Sequence, residues 1–193
     1  MDEYGGASSP IMESAIPRPK TPYALSKLFA TKLVEYVSEK EGLPGLIIRP
    51  SIVYGPTQDP TMFIPQCILA GLKNESFAMS KGSQLRDFIY IDDLIAGLIL
   101  AATMPIPGGE IINLGSGRGM TVKYVAKTIN KLIQSNNYLR FGGIPYRSGE
   151  NMRFWLQISK AKKLLGWQPQ FDIQTGLERT VGWYKSHWRE FAH

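Results

Sequence analysis

Two short apolar runs, residues 43–49 and 110–114, lack the alternation of a half-buried strand, and each lies between segments of helical periodicity. A strand apolar on both faces is covered on both, which restricts it to a parallel sheet flanked by helices. The chain therefore reads as α/β. About 16 residues of Gly-, Ser- and Pro-rich loop precede a helix over 22–41 that Gly42 stops. A second helix is predicted over 62–73. Residues 77–80 and 85–91 flank Lys81-Gly82-Ser83-Gln84 and read as a hairpin or two nearby strands. Asp92 is placed to cap a helix running through 103, and Thr121 one running to 134. Short strands near 139–141 and 153–157, a helix over 159–165 and a last helix over 176–191 complete the pattern. The irregular parts are expected to form a smaller lobe.

With 193 residues, 44% of them hydrophobic, the chain can fill a sizeable core. Cys67 is the only cysteine, which excludes an intrachain disulfide and suits a reducing cytosol. The longest apolar run, 94–102, is too short to span a bilayer, so a cytoplasmic location and no membrane partner are expected. Charge is uneven: residues 1–117 carry net −3 and residues 118–193 carry +9. The basic half could meet a diphosphate, could face nucleic acid, or could be a solvated surface; Lys123, Lys127 and Lys131 recur at helical spacing as one exposed stripe. His187 and His193 form no metal constellation, and no metal site is assigned.

Chemistry concentrates in Thr21-Pro22-Tyr23-Ala24-Leu25-Ser26-Lys27. Residues i and i+4 share a helix face, so the phenol of Tyr23 and the ammonium of Lys27 can reach one ligand together. A phenol beside a cation is suited to exchanging a proton with a sugar or alcohol hydroxyl while hydride moves to or from a nicotinamide. Taken alone, the same spacing also describes an ordinary surface pair. The turn Gly115-Ser116-Gly117-Arg118-Gly119 imitates a dinucleotide fingerprint, but its third glycine comes one place early and no Asp or Glu lies between 119 and 150 to hold a ribose. A tight strand-to-helix turn accounts for it better.

Downstream of the Tyr-Lys pair stand Arg49-Pro50-Ser51-Ile52-Val53-Tyr54-Gly55-Pro56, Gly82-Ser83-Gln84-Leu85-Arg86-Asp87-Phe88, Ile112-Asn113-Leu114-Gly115, Arg147-Ser148-Gly149-Glu150 and Leu165-Gly166-Trp167-Gln168-Pro169. In this order and spacing the chain resembles the extended short-chain dehydrogenase/reductases, specifically the nucleotide-sugar epimerases, dehydratases and reductases, over nearly its whole length. That resemblance implies the C-terminal part of a Rossmann-type parallel sheet with helices, plus a small mixed α/β substrate-binding lobe. Residues 1–60 would be the part of the dinucleotide-binding domain carrying the Tyr-Lys motif. Residues 61–193 would be mostly substrate lobe, with 85–120 returning to the sheet.

The resemblance also implies roles. Tyr23 and Lys27 would be the catalytic acid–base pair and would touch NAD or NADP, together with Pro50 and Ser51. Arg86 would clamp the diphosphate of a nucleotide sugar, the alternative being an ion pair with Asp87. Asn113, Arg147 and Glu150 would contact the nucleotide, and Phe77 and Met79 would line the base pocket unless they are plain core. Trp167 and Trp183 look like packing anchors. Two departures matter: Ile52 stands where many relatives have an Asn amide, and the Ser/Thr donor expected four residues before Tyr4 has no position in the chain. Asp2-Glu3 occupies places where dehydratases of this group carry an acidic pair, though such a pair can also be mere solvation.

The glycine-rich half of the family's Rossmann domain has no counterpart in this sequence. Three readings follow: part of a nucleotide-sugar epimerase, dehydratase or 4-ketoreductase, a non-catalytic nucleotide-sugar-binding protein or regulatory partner, and a basic RNA-binding relative, with nucleic acid the least favoured partner. On the first reading the strand over 46–49 lacks its neighbour. Self-association or an N-terminal half would then cover the open edge.

Overall fold

In the computed structural model, which describes residues 2–135 and 138–191, helix α1 spans Pro22–Glu41 as its periodicity predicts. Thr21 starts it: the hydroxyl accepts from Ala24 N at 3.1 Å, and Pro22 occupies a first-turn position that needs no N–H. Gly42 ends it at φ +70°, a left-handed conformation open to a residue without Cβ. The chain continues as β1 (Ile47–Pro50), β2 (Ile52–Tyr54), α2 (Phe63–Lys73), β3 (Phe77–Met79), β4 (Leu85–Arg86), β5 (Phe88–Tyr90), α3 (Ile91–Thr103), β6 (Ile111–Leu114), β7 (Met120–Thr121), α4 (Val122–Ile133), β8 (Leu139–Phe141), β9 (Arg153–Phe154), α5 (Ser159–Leu165) and α6 (Ile173–Ser186).

β1 pairs parallel with β6, placing Arg49 opposite Asn113. At Ser51 the strand changes partner: Ser51 N donates to Leu114 O at 2.8 Å, Ile52 N donates to Asp87 O at 3.0 Å, and β2 then runs parallel to β5. β3 pairs parallel with β8, and β4 lies between antiparallel β7 and parallel β9. Parallel pairing interleaved with helices is the α/β arrangement that the apolar runs predict. Among the described residues β6 is the only ladder partner of β1, and Ile47 and Ile48 stay half-buried. One edge of β1 is open.

Three local expectations are corrected. Residues 77–80 and 85–91 form no hairpin: β3 finds its partner 62 residues on, in β8, and the second segment breaks into β4 and β5 at Asp87, whose carboxylate is fully buried and accepts from Ser116 N and Leu156 N. Asp92 does not cap α3. Tyr90 takes that position without a side-chain cap, and Asp92 faces Arg179 at 3.5 Å on the surface. The last helix begins at Ile173, capped by Asp172 accepting from Thr175 N at 2.8 Å, and a short 3-10 turn over Trp188–Phe191 replaces its expected end. His187 stacks on Trp183 with ring centroids 4.3 Å apart, whereas His193 lies outside the described residues. The stripe of Lys123, Lys127 and Lys131 is exposed as expected.

Two apolar clusters hold the body together. Helices α2, α4 and α6 close over Tyr54, Ile68, Val125, Ile129, Leu177 and Tyr184. On the other side α3 and α5 pack Leu165 and Trp167 onto Ile89, Ile112 and Leu114. Burying such side chains contributes roughly 1.5–3 kcal/mol each. Trp167 is an anchor in the literal sense: its indole N–H donates to Asp93 O at 3.0 Å, and the Asp93 carboxylate accepts from Gln170 N and Phe171 N. Cys67 is buried in the first cluster, which pushes its thiol up to about 12.

The first 20 residues are not the plain loop that their composition suggests. Tyr4 and Ile11 bury against Phe154 and Leu156, and Ile11 bridges Leu156 in parallel. A 3-10 turn over Asp2–Tyr4 presents Glu3 to the interior. There its carboxylate pairs with the guanidinium of Arg49 and accepts from Thr31 Oγ1 of α1 at 3.1 Å. Arg49 also stacks 4.5 Å from the centroid of the Tyr4 ring. Glu3 and Arg49 are 5% and 2% exposed, so removing one partner strands the other charge. Glu3→Ala is expected to lower stability by about 3–5 kcal/mol, and Thr31→Val by only about 1 kcal/mol. Chemical denaturation of the two variants measures the difference, and equal, small losses would contradict the buried pair.

Candidate functional site

The first turn of α1 and the side chain of Arg86 face one cavity of about 350 Å³, bordered by Asp2, Lys20, Thr21, Ala24 and Asn151. Three sequence features converge here because β4 brings Arg86 beside the chain that enters α1. A helix N-terminus presents free N–H groups and partial positive charge, which with Lys20 and Arg86 suit an anion and are opposed on the same wall by the Asp2 carboxylate.

Arg86 is half-buried, and burial weighs against its charged form while Glu150 favours it. Nη1 donates to Leu85 O at 2.8 Å and to Asn151 O at 2.6 Å, and Nη2 pairs with the Glu150 carboxylate. The partner is thus Glu150, not Asp87. Asp87 accepts from Ser116 N at 2.7 Å, Ser116 Oγ at 2.6 Å and Leu156 N at 3.1 Å. Burial pushes its carboxyl up, and these donors pull it back down.

Tyr23 and Lys27 lie on the open face of α1, with Nζ 5.3 Å from the centroid of the Tyr ring. Tyr23 is 60% exposed. Among the described residues neither the phenol oxygen nor the ammonium has a hydrogen-bond or ion-pair partner. Both groups are unspent, and Ala24 beside Tyr23 lines the cavity that holds Arg86. Pro50 and Ser51 sit where the strand changes partner between β6 and β5, a place where crevices open in α/β sheets.

The other expected contacts scatter. Asn113 is fully buried and its amide is occupied by protein: Oδ1 accepts from Tyr4 Oη at 2.7 Å, and Nδ2 donates to Ile11 O at 3.0 Å and Gln157 O at 3.2 Å. It ties the N-terminal segment to β6 and leaves no donor over. Met79 is core, and Phe77 packs at its margin with its ring centroid 6.1 Å from that of Phe63. Arg147 is exposed on the turn that Glu150 N closes onto Arg147 O.

The Gly115–Gly119 turn is filled from inside. A Cβ on Gly115 would stand 2.6 Å from Asp87 Oδ2, and the amide of Ser116, which a phosphate would need, is given to Asp87. Glu3, Tyr4 and Arg49 are residues that sequence reasoning missed as a unit. The one signal was an acidic residue beside an aromatic in a polar stretch, with its cationic partner 46 positions away.

A sequence model described as the NAD dependent epimerase/dehydratase family matches residues 2–115. The chain is 36% identical over 190 residues to a UDP-glucuronate 4-epimerase of Thermodesulfobacterium geofontis, covering 95% of this chain and 57% of that enzyme. It is 30% identical to the dTDP-D-glucose 4,6-dehydratase of Mus musculus, covering 98% of this chain and 55% of the mouse enzyme. The crystal structure of a UDP-glucose 4-epimerase with UDP-glucose from Thermotoga maritima superposes with a TM-score of 0.89 at 29% identity, over 96% of this chain and 60% of that one. The chain thus spans somewhat over half the length of these relatives. No described helix is long and apolar enough to cross a membrane.

Asp87 fixes the spacing between Arg86 and the 115–119 turn. Asp87→Asn would set an amide donor against donors, and a loss of about 2–3 kcal/mol is expected in urea unfolding. A loss no larger than that of Ser116→Ala would contradict this arrangement.

Proposed function

Because this chain belongs to the NAD dependent epimerase/dehydratase family, we propose that it carries the substrate-binding and acid–base part of a nucleotide-sugar epimerase, dehydratase or 4-ketoreductase. The observation that carries the reading is the cavity in which the α1 N-terminus, Lys20 and Arg86 meet beside an unspent Tyr23–Lys27 pair. Arg86 and Lys20 would hold the diphosphate, since a planar guanidinium matches two phosphate oxygens. Tyr23 would take or return the proton of the sugar C4 hydroxyl. Lys27 would hold the nicotinamide ribose, with Pro50 and Ser51 against the ring. An exposed hydroxyl and ammonium on one helix face, not engaged by protein, fit such a group. Bound there, NAD or NADP would supply the hydride acceptor or donor.

The dinucleotide's own phosphate grip is assigned to a half that these 193 residues do not contain. That half, or a second copy of this chain, would cover the open edge of β1 and the exposed Leu25, Phe29, Leu33 and Tyr36 of α1. Engagement of Glu3 by Arg49 and Thr31 disfavours it as a dehydration acid or base. Epimerisation or 4-ketoreduction, which does not call on that acidic pair, is the favoured chemistry.

A thermal-shift panel of UDP-glucose, UDP-glucuronate and dTDP-glucose tests the binding half of this reading, because a ligand of the folded form raises the midpoint by mass action. One nucleotide sugar should stabilise the chain, and Arg86→Gln should weaken it by about 10- to 100-fold. No stabilisation by any of them, or none lost in Arg86→Gln, contradicts it. In protein completed with the dinucleotide-binding half, Tyr23→Phe should cut turnover by about 10²- to 10⁴-fold with nucleotide-sugar affinity kept. Equal turnover would remove Tyr23 from the chemistry.

A further inference from the structure

The cation assigned to the diphosphate is already occupied by an anion from the same chain. Arg86 Nη2 holds the Glu150 carboxylate, and Nη1 holds the carbonyl of neighbouring Asn151 at 2.6 Å. These contacts hold the loop from Ile144 to Asn151 against Arg86, with Asn151 on the cavity wall. Further hydrogen bonds fasten it: Ile144 N donates to Met79 O at 3.3 Å, Ser83 N donates to Tyr146 Oη at 3.0 Å, and Asn151 Nδ2 donates to Gly5 O at 3.2 Å on the cavity's other wall. Arg86 and Glu150 side chains are only 15% and 19% exposed. A guanidinium so enclosed is costly without an anion, so the form with Glu150 on Arg86 predominates until another anion arrives.

We propose that Glu150 is a displaceable internal anion on Arg86, and that the Tyr146–Asn151 strap it anchors opens when a nucleoside diphosphate takes its place. This rests on the diphosphate assignment of Arg86 above. The strap sets specificity by charge: a ligand without a diphosphate has nothing with which to exchange Glu150, and leaves the strap shut. Gly149, at φ +70° with open space around its Cα, lies next to the anchor. Only the carboxylate and the Asn151 carbonyl need to leave Arg86 for the exchange.

The consequence is opposite to that of an ordinary ligand contact. The apparent Kd is the intrinsic Kd divided by the fraction of molecules with the strap open, so weakening the latch tightens diphosphate binding. Calorimetric titration of the chain with UDP, inorganic pyrophosphate and uridine reads this out. Glu150→Gln should tighten UDP and pyrophosphate about 10-fold, the figure for a latch closed in roughly nine molecules of ten, and should leave uridine unchanged. Glu150→Asp, which keeps the charge but shortens its reach, should tighten them by a smaller factor and serves if the Gln variant does not fold.

Weaker or unchanged UDP binding in both variants, with Arg86→Gln still harmful, overturns the latch and makes Glu150 a ligand contact or a bystander. If Arg86→Gln leaves UDP binding untouched, or neither UDP nor pyrophosphate binds any form, the diphosphate assignment itself falls and the latch with it.

Discussion

A buried guanidinium organises this molecule. Arg49, on β1, reaches the Glu3 carboxylate and stacks on Tyr4, and Glu3 in turn receives Thr31 from α1. Three separate stretches of chain are tied at one point: the N-terminal turn, the strand that switches partners at Ser51, and the helix that carries Tyr23 and Lys27. Thr31 is the point at which this buried pair fastens α1 to the body. Arg49 Nε and Nη1 find no acceptor among the described residues, so the pair and the Tyr4 ring carry the whole burden of that charge.

From that anchor the site follows. α1 starts at Thr21 with its N-terminus toward Arg86, because the segment before it is fixed at Ile11 to β9's continuation and at Asn113 to β6. Asp87 sets the other wall by collecting the amides of Ser116 and Leu156. The amide of Asn113, a candidate nucleotide contact in the sequence, and the carboxylate of Asp87 are both spent on the protein itself, whereas Tyr23 and Lys27 have no such partner among the described residues. Chemistry is found here by asking which polar groups the fold has not already used.

The legible part of the sequence was the local part. Thr21, Pro22 and Gly42 carry their own start and stop signals, and α1 has the limits they dictate; the run over 110–114 likewise announces a buried strand. What stayed hidden depends on partners far along the chain. β3 pairs with β8 and not with the nearer segment, and no turn chemistry near Lys81 could reveal that. Glu3 looks like a solvated terminal acid until Arg49 is placed opposite it. Arg86 and Glu150 each stand out in the sequence as candidate nucleotide contacts, but their pairing with one another spans 64 positions and appears only in three dimensions.

The account turns on the cavity between α1 and Arg86 being where a nucleotide sugar sits. Hydrogen–deuterium exchange of the chain at saturating UDP-glucose addresses it most directly, since it locates the ligand without presuming which residues matter. Slowed exchange confined to residues 20–25 and 84–87, with altered exchange over 146–151 and none along α4, is the predicted result. Protection centred on the 115–119 turn or on the lysine face of α4 would place the ligand elsewhere and contradict it.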